Sequence, residues 1–206
     1  MDNTEGSQAI KQTYRVRKNS VLHLSKQQIE IVLGCILGDA YIYPQGKICI
    51  EHGIKQQEYL LWKYQQLESL AYPKISQVVR WDKRINKNTI SKRFFLRQYF
   101  RPLRKIFYLN RKKVIPSQLV NWISPLLLAI WYMDDGHLDK NKYPSLMTEC
   151  YTKNDNLKLK NWLYQKFNID TIINKKNRIL IKSNSTDKFF QLIKPYIHKS
   201  LLYKLP

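Results

Sequence analysis

Two apolar stretches of the same design, residues 31–40 (IVLGCILGDA) and residues 126–136 (LLLAIWYMDDG), decide the fold of this chain. Each stretch is predicted to be a helix that ends in a carboxylate. The C-terminal end of a helix is the negative end of its dipole, so an aspartate placed there raises the local electrostatic cost. A cation bound at the helix end would remove that cost. Two such ends in one chain therefore predict two carboxylates that converge on a metal.

Length and charge narrow the class of protein. The chain has 206 residues, 44% of them hydrophobic, which is enough to bury a full core as one large domain or two small fused ones. Its 36 basic and 15 acidic residues give a formal net charge of +21. Residues 1–105 contribute +11 of this charge and residues 106–206 contribute +10. Basic charge in both halves of a folded chain, interleaved with aromatic residues, favours a nucleic-acid partner over a membrane surface.

The cysteines and the N-terminus indicate an intracellular protein. Cys35, Cys49 and Cys150 are odd in number and have no paired spacing, so they indicate neither a disulfide framework nor a zinc site. Residues 1–20 are polar and lack the apolar core of a signal peptide, and no apolar run is as long as a membrane span. We expect residues 1–20 to form a flexible basic arm that either contacts phosphates or is simply solvated. We expect the protein to act in a cytoplasm, nucleoid or organelle, without secretion or membrane insertion.

An aspartate and a lysine each recur along the chain at nearly the same spacing, which indicates an internal repeat. Asp135 follows Asp39 by 96 residues, and Lys204 follows Lys113 by 91 residues. Each lysine is followed closely by a proline, in the sequences KVIP and KLP. We therefore expect two related halves, residues 21–110 and residues 111–206, packed with pseudo-twofold symmetry.

The predicted elements have the same order, αββαββα, in both halves, which makes this an α/β protein of the α+β type. Ser25 and Ser124, the latter followed by Pro125, are favourable starts for the two motif helices. Short strands, a helix, a second hairpin and a last helix are predicted to follow. In the first half we place them at 40–51 (strands), 56–71 (helix) and 75–96 (hairpin), and in the second at 145–151, 154–167 and 170–182.

Over nearly its whole length the chain resembles the LAGLIDADG homing endonucleases that carry two motifs in one polypeptide, including intron-encoded members from yeast mitochondria. The resemblance rests on residues 37–41 (LGDAY), 131–136 (WYMDDG) and 203–206 (YKLP). It implies a monomer whose two motif helices pack together at the interface of the halves. It also implies that the two antiparallel sheets form a saddle for double-stranded DNA, which the protein cleaves at a specific, long target site.

The spacing of two glycines agrees with a close helix pair. Gly34 and Gly38 give the first motif helix a small-residue face, so a partner helix can approach more closely than the usual interaxial distance of roughly 8–10 Å. The alternative is that both glycines merely pack under a sheet. The position of Asp39 at the helix end favours the helix pair.

Two aspartates held this close repel each other, so either one is protonated or a divalent cation neutralises them. Aspartate oxygens with open water positions suit Mg²⁺, for which Mn²⁺ can substitute, and such sites serve phosphoryl chemistry. By the family's pattern Asp39 and Asp135 bind the metal, and each serves one strand in a cleavage across the minor groove that leaves 3′ overhangs. Asp134 occupies the position of Gly38, so the backbone carbonyls of Gly38 and Asp134 are expected to be the remaining protein ligands.

Lys113 and Lys204 match the family's active-site lysines, one in each half. A lysine there can polarise the attacking water or offset charge on the phosphate. The alternative is a solvated surface lysine. Glu51 and Glu149 fall 12 and 14 residues after the aspartates, where related enzymes often carry a water-ordering glutamine. We expect both glutamates beside the metal site, although ordinary exposed glutamates are the alternative.

Basic residues concentrate in the second hairpin of each half. A two-stranded ribbon fits the major groove, where arginine reads guanine through two hydrogen bonds. Other basic residues are expected to contact phosphate only. The candidates for DNA contact are Arg80, Lys83, Arg84, Lys87, Lys92, Arg93 and Arg97 in the first half and Lys175, Lys176, Arg178 and Lys182 in the second.

Two hypotheses about function stay open at the level of sequence. The first is the endonuclease described above. The second is an intron RNA maturase, with intron RNA as its partner, or a non-cleaving nucleic-acid-binding protein of the same fold. Retention of both aspartates and both lysines favours cleavage. The four histidines lack metal-ligand spacing and are assigned no part in the site: His23, His52, His137 and His198.

Overall fold

The first half of the chain folds as a helix, a hairpin, a second helix, a longer hairpin and a third helix. The computed structural model describes residues 24–206, so the predicted arm at residues 1–20 and His23 lie outside the described residues. The elements are α1 (Lys26–Leu37), β1 (Tyr41–Ile42), β2 (Ile48–Gly53), α2 (Gln57–Gln66), β3 (Ser76–Asp82), β4 (Lys87–Leu96) and α3 (Arg101–Phe107). A two-stranded ribbon of β5 (Tyr108–Leu109) and β6 (Lys112–Lys113) follows.

The second half repeats this order. Its elements are α4 (Pro125–Asp135), β7 (Gly136–Leu138), β8 (Pro144–Leu146), α5 (Lys153–Phe167), β9 (Thr171–Ile173), β10 (Ile179–Ile181) and α6 (Ser183–Ile193). Both sheets are antiparallel and have equivalent strand orders, β1-β2-β4-β3 and β7-β8-β10-β9. The predicted αββαββα order is therefore present twice. Short 3₁₀ helices at Lys194–Tyr196 and Lys199–Lys204 complete the described chain.

Both motif helices begin where the sequence predicts. The Ser25 hydroxyl accepts a hydrogen bond from the backbone N–H of Gln28, whose side chain in turn accepts from the Ser25 backbone, which makes a complete capping box. The Ser124 hydroxyl accepts from the N–H of Leu127, and Pro125 occupies the first turn. These caps satisfy N–H groups that have no partner inside the helix.

The motif helices α1 and α4 pack directly on each other through the two glycines. A Cβ added to Gly34 would lie 2.6 Å from the Cβ of Ile130, and one added to Gly38 would lie 2.4 Å from the Cβ of Asp134. Real Cβ contacts are never this short, so only glycine allows this separation of the helices. The predicted close helix pair is therefore observed. Both helices are apolar on nearly every side and belong to the hydrophobic core.

The first hairpin of the second half differs from its prediction. Strands were expected at residues 145–151, but the hairpin is formed by β7 and β8, and residues 147–151 form a loop. Side chains replace the missing strand partners, because Asn156 Nδ2 donates to the Thr148 carbonyl and Asn177 Nδ2 donates to the Tyr151 carbonyl. The hairpins that follow α2 and α5 also differ in length. Strands β3 and β4 have 7 and 10 residues, whereas β9 and β10 have 3 each.

None of the helices within residues 24–206 is long and apolar enough to cross a membrane.

Candidate active site

Asp39 and Asp135 lie at the same end of the helix pair. Asp39 directly follows the cap of α1, and Asp135 is the last residue of α4. Burial and the neighbouring charge of Asp134 raise the pKa of Asp39, although 42% of its side chain is exposed. Burial and the charge of Asp39 raise the pKa of Asp135 from 3.8 to about 7. The charge of Asp39 therefore hinders the ionisation of Asp135.

These carboxylates have the chemistry of a divalent-cation site. Among residues 24–206, no basic side chain forms an ion pair with Asp135, and Asp39 has only His52, at 3.6 Å. Two partly buried carboxylates with raised pKa values and few partners are best stabilised by a cation. Hard oxygen ligands suit Mg²⁺ and Mn²⁺. The donor set therefore fits the predicted metal.

The two predicted lysines reach the same helix ends. Lys113, on β6, donates from Nζ to the Gly38 carbonyl at 3.0 Å. Lys204 donates to the Met133 carbonyl at 2.6 Å and to the Gly136 carbonyl at 3.0 Å. Burial lowers the pKa of both lysines. Each ammonium group thus lies at the negative end of a motif helix, on carbonyl groups that have no intrahelical partner.

The side chain of Asp134 is engaged inside the protein. It is fully buried, its two carboxylate oxygens accept from Lys63 Nζ at 2.6 and 2.8 Å, and Oδ1 also accepts from the Tyr59 hydroxyl at 3.0 Å. Lys63 is fully buried too. This ion pair connects α2 of the first half to α4 of the second.

His52 also belongs to this site, and the exclusion of all histidines from it was wrong. Its Nε2 lies 3.0 Å from Lys63 Nζ, and single ligand atoms of Asp39, His52 and Asp134 all lie within 4.8 Å of one another. Burial and the charge of Lys63 lower the pKa of His52 to about 4. Spacing along the sequence does not reveal this cluster because its members come from the residue after the cap of α1, from β2 and from α4. The available signal was the alternation of β2, in which His52 shares the buried face with Ile48 and Ile50.

The predicted glutamates pair with predicted DNA-binding arginines. Glu51 accepts from Arg80 and from the Ser91 hydroxyl, and it lies 3.8 Å from Arg93. The hydrogen bond from Arg80 lowers the pKa of Glu51. In the second half Glu149 accepts from Arg178. The two halves thus repeat a carboxylate and guanidinium pair, while a role for these glutamates beside the metal stays a prediction.

A groove of about 510 Å³ extends from Asp39 over the sheet of the first half, and Arg80 and Arg93 line it. Lys92 lies on the other face of this sheet, where its Nζ donates to Gln57 on α2. Arg97 donates to the carbonyl of Ala71. The remaining candidates lie mostly at turns: Lys83, Arg84 and Lys87 between or beside the ends of β3 and β4, Lys175, Lys176 and Arg178 between β9 and β10, and Lys182 at the start of α6.

The sequence model of the LAGLIDADG DNA endonuclease family matches residues 29–189, which include most of α1, all of α4 and both four-stranded sheets. The chain belongs to the LAGLIDADG DNA endonuclease family. The resemblance found at residues 37–41 and 131–136 is thereby confirmed, and α1 and α4 are the two LAGLIDADG helices.

Relatives of this LAGLIDADG protein have three kinds of name. Cytochrome b mRNA maturase bI2 of Debaryomyces hansenii is 31% identical, and the alignment covers 92% of this chain and 79% of the maturase. DNA endonuclease I-ChuI of Chlamydomonas applanata is 26% identical, over 89% of this chain and 96% of the endonuclease. The chain also matches RecA of Mycobacterium gastri, of which it spans about half the length, 48%.

A solved homing endonuclease structure has the same fold. The homing endonuclease I-WcaI, bound to its DNA recognition sequence, superposes with a TM-score of 0.80 at 30% sequence identity. The match covers 90% of this chain and 88% of I-WcaI. The α+β fold expected from the sequence is confirmed.

Proposed function

We propose that this chain is a site-specific endonuclease that cleaves both strands of a DNA duplex with the help of a divalent metal ion. The observation that supports this most strongly is that a carboxylate and a lysine are found at the end of each LAGLIDADG helix. Lys113 contacts the carbonyl of Gly38, next to Asp39 in the chain, and Lys204 contacts the carbonyl of Gly136, next to Asp135. A site with two carboxylates and two ammonium groups is suited to in-line attack on two phosphodiesters.

The protein groups have distinct parts in this reaction. Asp39 and Asp135 would hold the ions, with the carbonyls of Gly38 and Asp134 as the remaining protein ligands. A bound Mg²⁺ or Mn²⁺ supplies charge stabilisation and a more acidic water. Lys113 and Lys204 place positive charge where the phosphate accumulates negative charge, and their contacts to carbonyl groups keep them in position. We place the two cuts across the minor groove, with 3′ overhangs as the product.

DNA binding is assigned to the basic groove and to the hairpin turns. Arg80 and Arg93 lie on the groove face beside Asp39, where a duplex on the sheet would pass. With 6–10 phosphate contacts, affinity should fall by roughly 10³–10⁵ between 50 and 200 mM salt. I-WcaI is bound to its DNA recognition sequence in the solved structure, which supports a duplex as the partner of the same fold here.

The test is cleavage of a duplex library, or of the intronless allele of the host gene, with Mg²⁺ present or removed by a chelator. The wild-type protein is compared with Asp39→Asn and Asp135→Asn, which keep the shape of the side chain and remove its charge. Discrete double-strand breaks that need Mg²⁺ and both aspartates support the proposal. Tight binding without cleavage under any divalent ion contradicts it.

A second candidate function is assistance of intron RNA splicing. It is favoured by the 31% identity to a cytochrome b mRNA maturase of which the alignment covers 79%. Splicing of the chain's own intron RNA, measured with wild-type protein and with Asp39→Asn, separates this function from cleavage. A maturase needs no carboxylate for phosphodiester hydrolysis, so Asp39→Asn should splice normally while it fails to cut DNA.

A further inference from the structure

Lys63 is a charged group with no exposure to solvent, and it lies between the two halves of the molecule. Its ammonium group contacts both carboxylate oxygens of Asp134, the Nε2 atom of His52 at 3.0 Å and the ring of Tyr59, whose centroid is 4.3 Å away. A buried ammonium is expensive unless it is paired and hydrogen-bonded. These contacts meet that requirement without any metal.

The contact with Lys63 determines which nitrogen of His52 carries a proton. An ammonium group has donors only, so the Nε2 atom that it faces must offer its lone pair. The proton of the neutral imidazole is then on Nδ1, which faces Asp39 Oδ2 at 3.6 Å. This separation is slightly longer than a hydrogen bond, as is common at catalytic sites before the substrate binds.

His52 faces only one of the two aspartates, Asp39. The LAGLIDADG helix of the second half ends at Asp135, and within residues 24–206 no histidine or lysine pairs with that carboxylate. The two helix ends are therefore related in backbone and different in chemistry. Asp134 also differs from its counterpart Gly38, since its carboxylate already has a cation of its own in Lys63.

We propose that Lys63 is a permanent internal cation that holds His52 in the Nδ1–H form. His52 then orients the carboxylate of Asp39 and has no such effect on Asp135. Lys63 and His52 are positioning residues in this scheme. The side chains of Asp39, His52 and Asp134 then do not form a metal site, because Lys63 already contacts two of them, His52 and Asp134. The effect on cleavage rests on the proposed nuclease function, whereas the proton position on His52 does not.

The first experiment uses a duplex whose two strands carry different fluorophores, cut by the full chain with Mg²⁺. His52→Asn keeps an amide nitrogen near the position of Nδ1, and His52→Gln keeps one near Nε2 instead. Changes of this kind around a metal ligand cost roughly 10–100-fold. We expect His52→Gln to lower the cleavage rate of one DNA strand by that factor, namely the strand whose cleavage Asp39→Asn reduces most. The cleavage rate of the other strand and the affinity for DNA should not change. We expect His52→Asn to restore most of the rate.

Equal slowing of both strands by His52→Gln would overturn the proposal, and so would an equally slow His52→Asn. A second measurement needs no cleavage at all. The ring ¹⁵N shifts of His52, recorded on the full chain without DNA or metal, should show a proton on Nδ1, and the Lys63→Met, Asp134→Asn double variant should lose that preference. The double variant is used because removing Lys63 alone leaves a buried charge unpaired.

The two measurements separate failure of this inference from failure of the proposed function. A proton on Nε2 in the wild-type protein overturns the inference whether or not the protein cuts DNA. The predicted proton on Nδ1 in a protein that cuts no DNA supports the assigned proton position and contradicts only the nuclease function.

Discussion

Replacing Asp135 by asparagine should stabilise the metal-free protein at neutral and alkaline pH. The pKa of Asp135 is raised from 3.8 to about 7 in the folded state. As the pH rises from about 4 to 7, the unfolded chain loses this proton and the folded protein keeps it, so the free energy of unfolding decreases over that window. Above pH 7 the loss is constant. Asparagine keeps the shape of the side chain and has no proton to lose.

The size of the effect follows from the same difference. Three pH units correspond to about 4 kcal/mol as an upper bound, since each unit is worth 1.36 kcal/mol. Asp135 is only partly buried, so solvent screening reduces this to about 2 kcal/mol. Bound metal should make the wild-type protein the more stable of the two, because a cation at a hundred times its Kd stabilises it by about 2.7 kcal/mol.

The assay is urea unfolding at several pH values between 4 and 8, with a chelator present. The difference between Asp135→Asn and the wild type should grow from near zero at pH 4 to its full value above pH 7. Asp187→Asn, a change at an exposed aspartate on α6, serves as the control and should follow the wild type. Parallel curves for Asp135→Asn and the wild type would refute the assignment of two converging carboxylates.

Three further predictions concern the lysines, the helix interface and the groove. Lys113→Met or Lys204→Met should lower the cleavage rate by roughly 10²–10³ and leave DNA affinity nearly unchanged, measured by single-turnover kinetics and binding; weaker binding with normal turnover would contradict this. Gly34→Ala should cost about 1–3 kcal/mol in urea unfolding, because its Cβ would overlap Ile130, whereas Gly53→Ala, which has open space, should be neutral. Arg80→Gln should reduce the slope of log affinity against log salt by about one, and an unchanged slope would remove Arg80 from the DNA contacts.

The parts of the fold that depend on local sequence were predicted well. The caps at Ser25 and Ser124 and the apolar helices that follow them act within a few residues, and the repeat then places the remaining elements in the same order twice. The loop at residues 147–151 was predicted as strand, since its partners Asn156 and Asn177 are side chains from other elements. No local rule reports such contacts.

The candidate site divides in the same way. Asp39 and Asp135 stand out because an acid after an apolar helix is unusual. Lys63 looks like any lysine of an amphipathic helix, and its partner Asp134 is 71 residues away. Only the packing of α2 against the end of α4 shows that Lys63 and His52 belong to the site. Buried polar groups whose partners come from distant segments are the part that the sequence alone did not reveal.

The unequal lengths of the hairpins in the two sheets have a consequence for how many base pairs each half can contact. The 10 residues of β4 span about 33 Å at 3.3 Å per residue, whereas the 3 residues of β10 span about 10 Å. At roughly 3.4 Å per base pair, these lengths correspond to about ten and three base pairs along a groove. We therefore expect the target site to be asymmetric about the scissile phosphates, with most of the specified base pairs on the side that the first half contacts. Base changes in the host sequence on the other side would then be tolerated.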